Sequence, residues 1–278
     1  MRKLLLFTVY YPGAESFEND FFSSIVNQTN QEFDLLVLND TSRELNLEKK
    51  YKSLSIIEIK GCSNIAENRA IGINYAICND YNYIMLCDID DTFSPIRIEE
   101  TMKYFNDYDI IVNDLNIVDS RNNILFTSYF SKRIDEHSIL DSNFIKDKNI
   151  FGFSNTTIKT SKLQKIHFPK DLRIVDWYYF TILLNQGLSA IFMPKALTYY
   201  RQYTGNMIGL SSYTLDVFKS QMRLKKKHYL YFKEKICGYD DLYKRMVELE
   251  NLSDTELISK ITENEAKTPY PLWWENIK

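Results

Sequence analysis

Short apolar runs alternate with helix-forming segments through the first ninety residues, and this alternation allows few folds. The segment from Asn64 to Ala76 carries apolar residues at helical spacing, and Asn64 and Glu67 are placed as a capping pair. Largely continuous apolar strands separated by helices predict a mainly parallel α/β sheet that is covered on both faces. The apolar runs are residues 4–9, 33–38, 54–59 and 84–87.

Three carboxylates, Asp88, Asp90 and Asp91, follow the fourth run within the segment YIMLCDIDDT at 83–92. Carboxylates crowded at the end of a buried strand repel one another and resist desolvation, so they persist where a cation or a substrate compensates them. Parallel sheets bind ligands beyond the carboxyl ends of their strands, where Asp40 also lies. The sequence therefore predicts a metal site at this edge of the sheet.

Two chemistries place Asp-X-Asp at a strand end, and the short motif does not choose between them. In a glycosyltransferase of the GT-A type, the first Asp contacts the nucleotide ribose and the last holds a divalent ion on the diphosphate. In a phosphatase of the haloacid dehalogenase type, the string at Asp88, Asp90 and Thr92 supplies a nucleophile, a general acid and a Mg²⁺ site. A third interpretation is a helix start, with Ser94 as N-cap and Pro95 at the first helical position.

The composition is that of an ordinary globular protein and excludes several classes. Of 278 residues, 45% are hydrophobic and 26% are charged, and the net charge of −3 provides no basic field for nucleic acid. No stretch approaches the ~18 apolar residues that span a bilayer. The four cysteines, at 62, 78, 87 and 237, include no Cys-X-X-Cys pair, which predicts reduced thiols in a cytoplasmic protein.

Several motifs in this half resemble the nucleotide-binding half of family 2 glycosyltransferases. The segment 22–29 (FSSIVNQT) is similar to the family's helix ending in Gln-Thr. The segment 33–42 (FDLLVLNDTS), which follows it, is similar to the family's second strand ending in Asp-Asp-Gly-Ser.

Two further motifs follow in the family's order. The segment 64–76 (NIAENRAIGINYA) is similar to Ala-Arg-Asn-X-Gly, with Asn68 and Arg69 in swapped order. Residues 88–91 (DIDD), before Pro95, resemble the family's Asp-Ala-Asp-Asp and its following Pro. The likeness covers roughly residues 3 to 210.

The resemblance implies a role for each residue of the donor side. Asp40 accepts a hydrogen bond from the nucleotide base, Asn68 and Arg69 belong to the nucleotide site, and Asp88 binds ribose hydroxyls. From the residues alone, Asp40 also fits a strand-end turn and Arg69 also fits an exposed helix position.

The resemblance also implies a divalent cofactor, Mn²⁺ or Mg²⁺. These hard ions favour carboxylate and phosphate oxygens. Asp90 is the implied ligand, and Asp91 is a second candidate.

The segment 172–187 resembles the family segment in which a Glu-Asp pair opens a helix that ends in Gly. Asp176 has the position of the general base, and Val175 replaces the usual Glu. A carboxylate there takes the proton from the acceptor hydroxyl as the glycosidic bond forms, although an Asp at a helix start also serves as a cap. Trp177 and Tyr178 beside it would suit an acceptor shelf.

The segment 196–206 resembles the family's closing strand and its Tyr-Arg-X-His element. Arg201 then neutralises the leaving diphosphate. Tyr203 stands at the usual His position, which argues against a third protein ligand to the metal.

From about residue 213 the sequence becomes helical and charged. Basic and aromatic residues are interleaved over 223–235, which fits either an anionic membrane surface and a lipid-linked acceptor, or a solvated helix whose aromatics pack on the main domain. The tryptophans of 270–274 (YPLWW) are expected to dock on the domain or on a second subunit.

Together these observations predict an α/β protein with a GT-A, Rossmann-like sheet flanked by helices. Residues 1–212 are expected to form the GT-A domain, with a nucleotide-binding half (1–100) and an acceptor half (101–212), and 213–278 a C-terminal helical extension. The predicted function is inverting, metal-dependent transfer from a nucleotide-diphosphate sugar, with UDP-sugar favoured, to a glycan or lipid-linked hydroxyl. The predicted location is the cytoplasm, with peripheral membrane contact through the basic-aromatic helix. The alternatives are a phosphatase using Asp88 and Asp90, and a catalytically silent protein that binds sugar nucleotides or carbohydrates.

Overall fold

A computed structural model describes residues 3–203 and 214–278 of the chain. Its strands form one sheet flanked by helices. The strands are β1 (Leu4–Tyr10), β2 (Phe33–Asn39), β3 (Ile56–Lys60), β4 (Tyr83–Leu86), β5 (Thr92–Phe93), β6 (Ile110–Val118), β7 (Ile124–Phe126), β8 (Ile139–Leu140), β9 (Thr156–Lys159) and β10 (Ala190–Arg201). The helices are α1 (Glu18–Val26), α2 (Leu47–Lys50), α3 (Ile65–Cys78), α4 (Arg97–Met102), α5 (Val175–Asn185), α6 (Leu215–Phe232), α7 (Tyr239–Glu250) and α8 (Asp254–Lys267).

The strand order is β3-β2-β1-β4-β9-β6-β10-β5, with β7 added to β6 and β8 to β10. Strands β3, β2, β1 and β4 are parallel, as the apolar runs predict. The second half is mixed, because β9 runs antiparallel to both β4 and β6 while β6 and β10 are parallel. Every residue of β1 is buried, which accounts for its continuous apolar sequence.

The start of α3 confirms the predicted capping pair, and the start of α4 does not follow the predicted one. The Asn64 side chain accepts a hydrogen bond from the Glu67 backbone N–H at 2.9 Å. Helix α4 begins at Arg97, with Ile96 as N-cap. The Ser94 hydroxyl oxygen instead accepts a hydrogen bond from the backbone N–H of Leu197 at 3.2 Å, so the interpretation of 94–95 as a cap and first helical residue is wrong.

The C-terminal helices share the hydrophobic core of the acceptor half. Tyr229 and Phe232 of α6 and Trp274 after α8 belong to the same buried cluster as the apolar side chains of β6 and α5. The tryptophans therefore dock on the domain. This is one of the two expected outcomes, the other being docking on a second subunit. The boundary predicted between residues 212 and 213 lies outside the described residues.

The face of α6 predicted to carry basic and aromatic residues is largely turned inward. Lys225, His228 and Tyr229 are buried, and Lys226 and Lys227 form ion pairs with Glu250 and Asp171. Burial of the aromatic side accounts for this pattern without a membrane. Over residues 3–203 and 214–278, no helix combines the length and apolar character that a membrane span requires.

Candidate active site

A cavity of about 460 Å³ opens at the carboxyl ends of β1, β2 and β4. Six of the eight predicted site residues line it, namely Asp40, Asn68, Arg69, Asp88, Asp90 and Asp176. Residues from both halves of the chain therefore meet in one space, although Asp40 and Asp176 are separated by more than a hundred positions. The other two predicted residues, Asp91 and Arg201, lie in its supporting structure.

Asp40 follows β2 and is fixed by the loop that follows β3. Its Oδ1 accepts a hydrogen bond from the Ser63 backbone N–H at 2.6 Å. A Cβ at Gly61 would lie 2.6 Å from this oxygen and 2.9 Å from the Asp40 Cα, so only glycine lets the loop pass this closely. Asn68 holds the same loop, because its Oδ1 accepts from the Cys62 backbone N–H at 3.0 Å.

Arg69 extends from α3 to the first carboxylate of the acidic segment. Its Nη2 forms an ion pair with Asp88 Oδ1, and its guanidinium carbon lies 4.7 Å from the centre of the Phe153 ring. The Arg69 side chain is only 15% exposed, which rules out the interpretation as a surface helix residue. Its buried Nη1 has no hydrogen-bond partner within the described part of the chain, so the two N–H groups of this nitrogen remain for a ligand.

Asp90 faces the cavity, and its carboxylate accepts a hydrogen bond from a neutral hydroxyl group. The Tyr203 hydroxyl donates to its Oδ2 at 2.9 Å, and the Tyr11 and Tyr203 hydroxyls lie 3.2 Å apart. Burial and the negative charge of Asp88 raise the pKa of Asp90 above its ordinary value. A cation at this point would oppose both effects.

A divalent ion fits this site only with oxygens that a ligand brings. Across 3–203 and 214–278, no group of three or more His, Cys, Asp or Glu side chains is arranged to hold a metal. Mn²⁺ and Mg²⁺ are commonly held by one or two carboxylates plus substrate phosphates and water. Asp88 and Asp90, both lining the cavity, supply that kind of donor set.

Asp91 and Arg201 brace the acidic segment from behind, which differs from their predicted roles. Asp91 is 1% exposed, and its Oδ1 accepts from the Arg201 backbone N–H at 2.7 Å. The Arg201 guanidinium is 3% exposed and donates to the Asp90 carbonyl oxygen at 2.8 Å, the Asp20 carboxylate at 2.9 Å and the Ser120 carbonyl oxygen at 3.2 Å. Both residues are therefore buried in contacts with the protein, and their predicted roles, Asp91 as a metal ligand and Arg201 as the diphosphate's partner, stay predictions.

A second buried arginine, Arg97, lies under the same segment and was missed by sequence reasoning. It is 1% exposed and donates to the Leu86 carbonyl oxygen at 3.0 Å and to Asn113 Oδ1 at 3.2 Å. Its positive charge lies close enough to Asp88 and Asp91 to interact with both. No motif marks it, since a basic residue after Pro95 is ordinary in a surface helix.

Asp176 stands in the first turn of α5 and faces the cavity. The N-cap of α5 is Ile174, so Asp176 is not the capping residue. Asn149 Nδ2 donates to its Oδ2 at 3.3 Å. Burial raises the pKa of Asp176 to about 6; the backbone N–H of Trp177 opposes the rise and the charge of Asp88 adds to it. With that pKa the group is mostly ionised at neutral pH and mostly protonated below about pH 6.

The predicted acceptor shelf at Trp177 and Tyr178 is wrong. Trp177 is fully buried, stacks on His228 with ring centres 3.9 Å apart, and donates its indole N–H to the Ile145 carbonyl oxygen at 2.7 Å. Tyr178 packs on the Phe232 ring of α6. Aromatic side chains do line the cavity, and they include Tyr200, Trp273 and Trp274.

Comparisons with known proteins agree with this architecture. The model of the family described as Glycosyl transferase family 2 matches residues 17–166. An uncharacterized glycosyltransferase of Haemophilus influenzae is 25% identical over 239 residues, covering 81% of this chain and 72% of that protein. An uncharacterized glycosyltransferase of Methanocaldococcus jannaschii is 28% identical over 237 residues, covering 79% of each.

Solved structures with the same fold include two with nucleotide sugars. The S. aureus TarS 1-349 complex with UDP-GlcNAc superposes with a TM-score of 0.60 at 14% identity, over 93% of this chain and 70% of that one. The mannosyltransferase PcManGT of Pyrobaculum calidifontis, in complex with GDP-Man and Mn²⁺, gives 0.57 at 11% identity, over 96% of this chain and 81% of that one.

These similarities confirm the GT-A fold and the assignment to the transferase enzymes, and a GT-A fold argues against the haloacid dehalogenase-type phosphatase. The family match extends over more than half of the chain, from α1 through the acidic segment to the loop after β9. The chain belongs to glycosyl transferase family 2.

Proposed function

We propose that the protein transfers a sugar from a nucleoside-diphosphate sugar, with UDP-sugar as the favoured donor, to a hydroxyl of a glycan or lipid-linked acceptor, with inversion and with Mn²⁺ or Mg²⁺. The observation that carries the proposal is the meeting of Asp40, Arg69, Asp88, Asp90 and Asp176 in one cavity. The nucleotide sugars bound in the TarS and PcManGT complexes support a donor of this class.

The nucleotide occupies the end of the cavity nearest α3. Asp40 accepts from the base, as its position at the end of β2 allows, and Asp88 accepts from ribose hydroxyls. Arg69 is held against Asp88 by their ion pair, which leaves its unpaired Nη1 to donate to a phosphate oxygen. Asn68 acts through the loop that it holds beside Asp40.

Asp90, with Asp88 beside it, would hold the divalent ion together with diphosphate oxygens. The bound ion would supply charge neutralisation on the leaving nucleoside diphosphate. Arg201 contributes from a distance, because its buried guanidinium fixes the Asp90 main chain.

Asp176 removes the proton of the acceptor hydroxyl as the hydroxyl oxygen attacks the anomeric carbon. The C–O bond forms on the face opposite to the departing diphosphate, so one displacement inverts the configuration. A pKa near 6 suits a base at neutral pH, because the carboxylate is ionised and still basic enough to accept a proton.

The experiment combines donor binding with turnover. Thermal shift and calorimetry with UDP, GDP and their common sugar conjugates, each with and without Mn²⁺, identify the donor, since a ligand at ~100 times its Kd adds about 2.7 kcal/mol of stability. Hydrolysis or transfer of the sugar is then followed by mass spectrometry. Binding of no nucleotide in the presence of either metal would contradict the proposal.

A variant pair ties the result to the site. Asp90→Asn should remove the effect of Mn²⁺ on nucleotide affinity, and Asp107→Asn, at an exposed position between α4 and β6, is the matched control. Retained metal dependence in Asp90→Asn would place the metal elsewhere.

A further inference from the structure

The C-terminal segment 270–277 reaches into the active-site cavity, far along the chain from the strands that carry the acidic residues. Trp273 and Trp274 line the same space as Asp176. The Asn149 backbone N–H donates to the Trp273 carbonyl oxygen at 2.9 Å, which forms a β-bridge between the segment and the loop before β9. The segment is thus a wall of the site and not a terminal appendage.

Polar contacts fix this wall in place at several points. Glu275 receives two hydrogen bonds from the Arg133 guanidinium, at 3.0 and 3.1 Å. The buried ammonium of Lys225 donates to the carbonyl oxygens of Trp274 and Ile277, each at 2.9 Å. A segment held by buried charged groups has a defined position, as a binding surface requires.

The backbone of the wall also departs from ordinary geometry. Trp274 has a φ of +70°, in the left-handed region that bulky side chains avoid. Its buried indole N–H has no partner among the described residues. Strained residues with unpaired donors persist where the surroundings enforce them, and such residues concentrate at ligand sites.

The wall is connected to the proposed base. Asn149, whose backbone pairs with Trp273, donates from its Nδ2 to Asp176 Oδ2 at 3.3 Å. The Trp274 ring stacks on Trp177, the residue after Asp176, with ring centres 5.6 Å apart. Because the acceptor hydroxyl must lie within hydrogen-bond reach of the base, the part of the wall that lines the cavity beside Asp176 borders the acceptor.

The chemistry of the wall selects a ring with apolar faces and polar edges. The edge of the Trp273 indole packs against Gly152, because a Cβ at Gly152 would lie 3.1 Å from it. The ring centres of Trp273 and Tyr200 lie 5.7 Å apart. Asp176 and the exposed Arg173 add polar groups at the margin of the same cavity. Pockets of this kind take ligands whose apolar faces meet aromatic side chains while a few polar groups fix the orientation.

We infer that Trp273 and Tyr200 form the acceptor subsite, with the buried Trp274 bracing Trp273, and that the acceptor presents a sugar ring whose apolar face contacts the part of Trp273 that borders the cavity, with one hydroxyl directed to Asp176. The inference rests on the proposed function and adds the acceptor class to it. It assigns a catalytic-site role to the C-terminal segment, outside the part of the chain that the family model matches.

The test uses saturation-transfer NMR on the full chain with the nucleoside diphosphate identified in the donor assay and Mg²⁺. The probes are the methyl α- and β-glycosides of glucose, galactose, mannose and N-acetylglucosamine. At least one should bind, and irradiation of the aromatic protons should saturate the C–H protons of one ring face. This measurement needs no variant, so it stands even if a substitution prevents folding.

Variants then locate the contact. Trp273→Leu should weaken glycoside binding at least tenfold, Trp273→Phe should restore most of it, and nucleotide affinity should stay within twofold in both. Tyr270→Leu, in the same segment but outside the cavity, is the control. Failure of every glycoside to bind, undiminished binding in Trp273→Leu, or a parallel loss of nucleotide affinity would overturn the inference. Failure of the wild type to bind any nucleotide would instead contradict the proposed function.

Discussion

Asp176→Asn should make the protein more stable at neutral pH while it abolishes most of its activity. The substitution keeps the size of the side chain and an oxygen that can accept the hydrogen bond from Asn149. It removes a negative charge that is held in a largely desolvated place at the start of α5. A structural carboxylate would give the opposite change in stability, so the variant separates the two roles.

The size of the stability change follows from the shift in the pKa of Asp176 on folding. Burial raises the pKa of Asp176 to about 6 in the folded protein, against about 3.9 in an unfolded chain. Two pKa units correspond to nearly 3 kcal/mol, and partial contact with solvent in the cavity reduces this to on the order of 2 kcal/mol. For a chain of this size the variant should melt roughly 3–6 °C higher at pH 7.5.

The pH dependence has a definite sign. A carboxyl group whose pKa is raised on folding contributes stability that is fully present below the unfolded pKa and is lost as pH rises through the folded one. Wild type should therefore lose stability relative to Asp176→Asn between about pH 4 and pH 6, and the difference should stay constant above that.

Urea unfolding of both proteins at pH 4.5, 6 and 7.5 measures the difference, with Asp107→Asn as an exposed control that should show none. Transfer should fall about 100-fold or more in Asp176→Asn. In wild type, kcat/KM should rise with pH through about 6 as Asp176 loses its proton. A variant that is active, or less stable at pH 7.5, would refute the assignment of Asp176 as a buried base.

Four further substitutions test the supporting structure. Asp90→Asn should abolish the increase in nucleotide affinity that Mn²⁺ produces, measured by calorimetry with and without the ion. Arg69→Met should weaken nucleotide binding about tenfold, the worth of one charge-assisted hydrogen bond, and wild-type affinity would exclude its contact with the ligand. Arg97→Met should lower the free energy of unfolding by about 1–3 kcal/mol because it leaves the buried Leu86 carbonyl oxygen and Asn113 Oδ1 without this donor; a neutral effect in urea unfolding would contradict this. Gly72→Ala should cost about 1–3 kcal/mol, since the new Cβ would meet the Phe7 ring at 2.1 Å, and unchanged stability would show that β1 can shift.

The fold was predictable where local signals and the global arrangement coincide. Strands β1, β2 and β4 are almost entirely buried, so their sequences are largely apolar and can be recognised as buried strands. The start of α4 was misplaced because Ser94 is recruited by β10, a hundred positions away. The sequence around Ser94 gives no indication that its hydroxyl is bonded to Leu197 of β10.

The same distinction explains the site. Asp88 and Asp90 follow a strand whose end is evident, so their position was predictable. Arg201 also ends a strand, but its guanidinium turns toward Asp20 and the Ser120 carbonyl oxygen, and only the fold determines that direction. Asn149 joins the site through contacts that lie far apart in the sequence, and it stands in no motif.

The distribution of charge around the acidic segment predicts where the cation enters. Asp88 is matched by Arg69, and Asp91 is buried against the Arg201 backbone N–H. Asp90 faces the cavity with the neutral hydroxyl of Tyr203 on its carboxylate, and burial together with the charge of Asp88 raises the pKa of Asp90. A metal ion that takes the position of the Tyr203 hydroxyl on Asp90 Oδ2 would displace that hydrogen bond, at a cost of roughly 1 kcal/mol. Diphosphate oxygens would offset this cost by completing the coordination, so metal and nucleotide should each bind more tightly in the presence of the other.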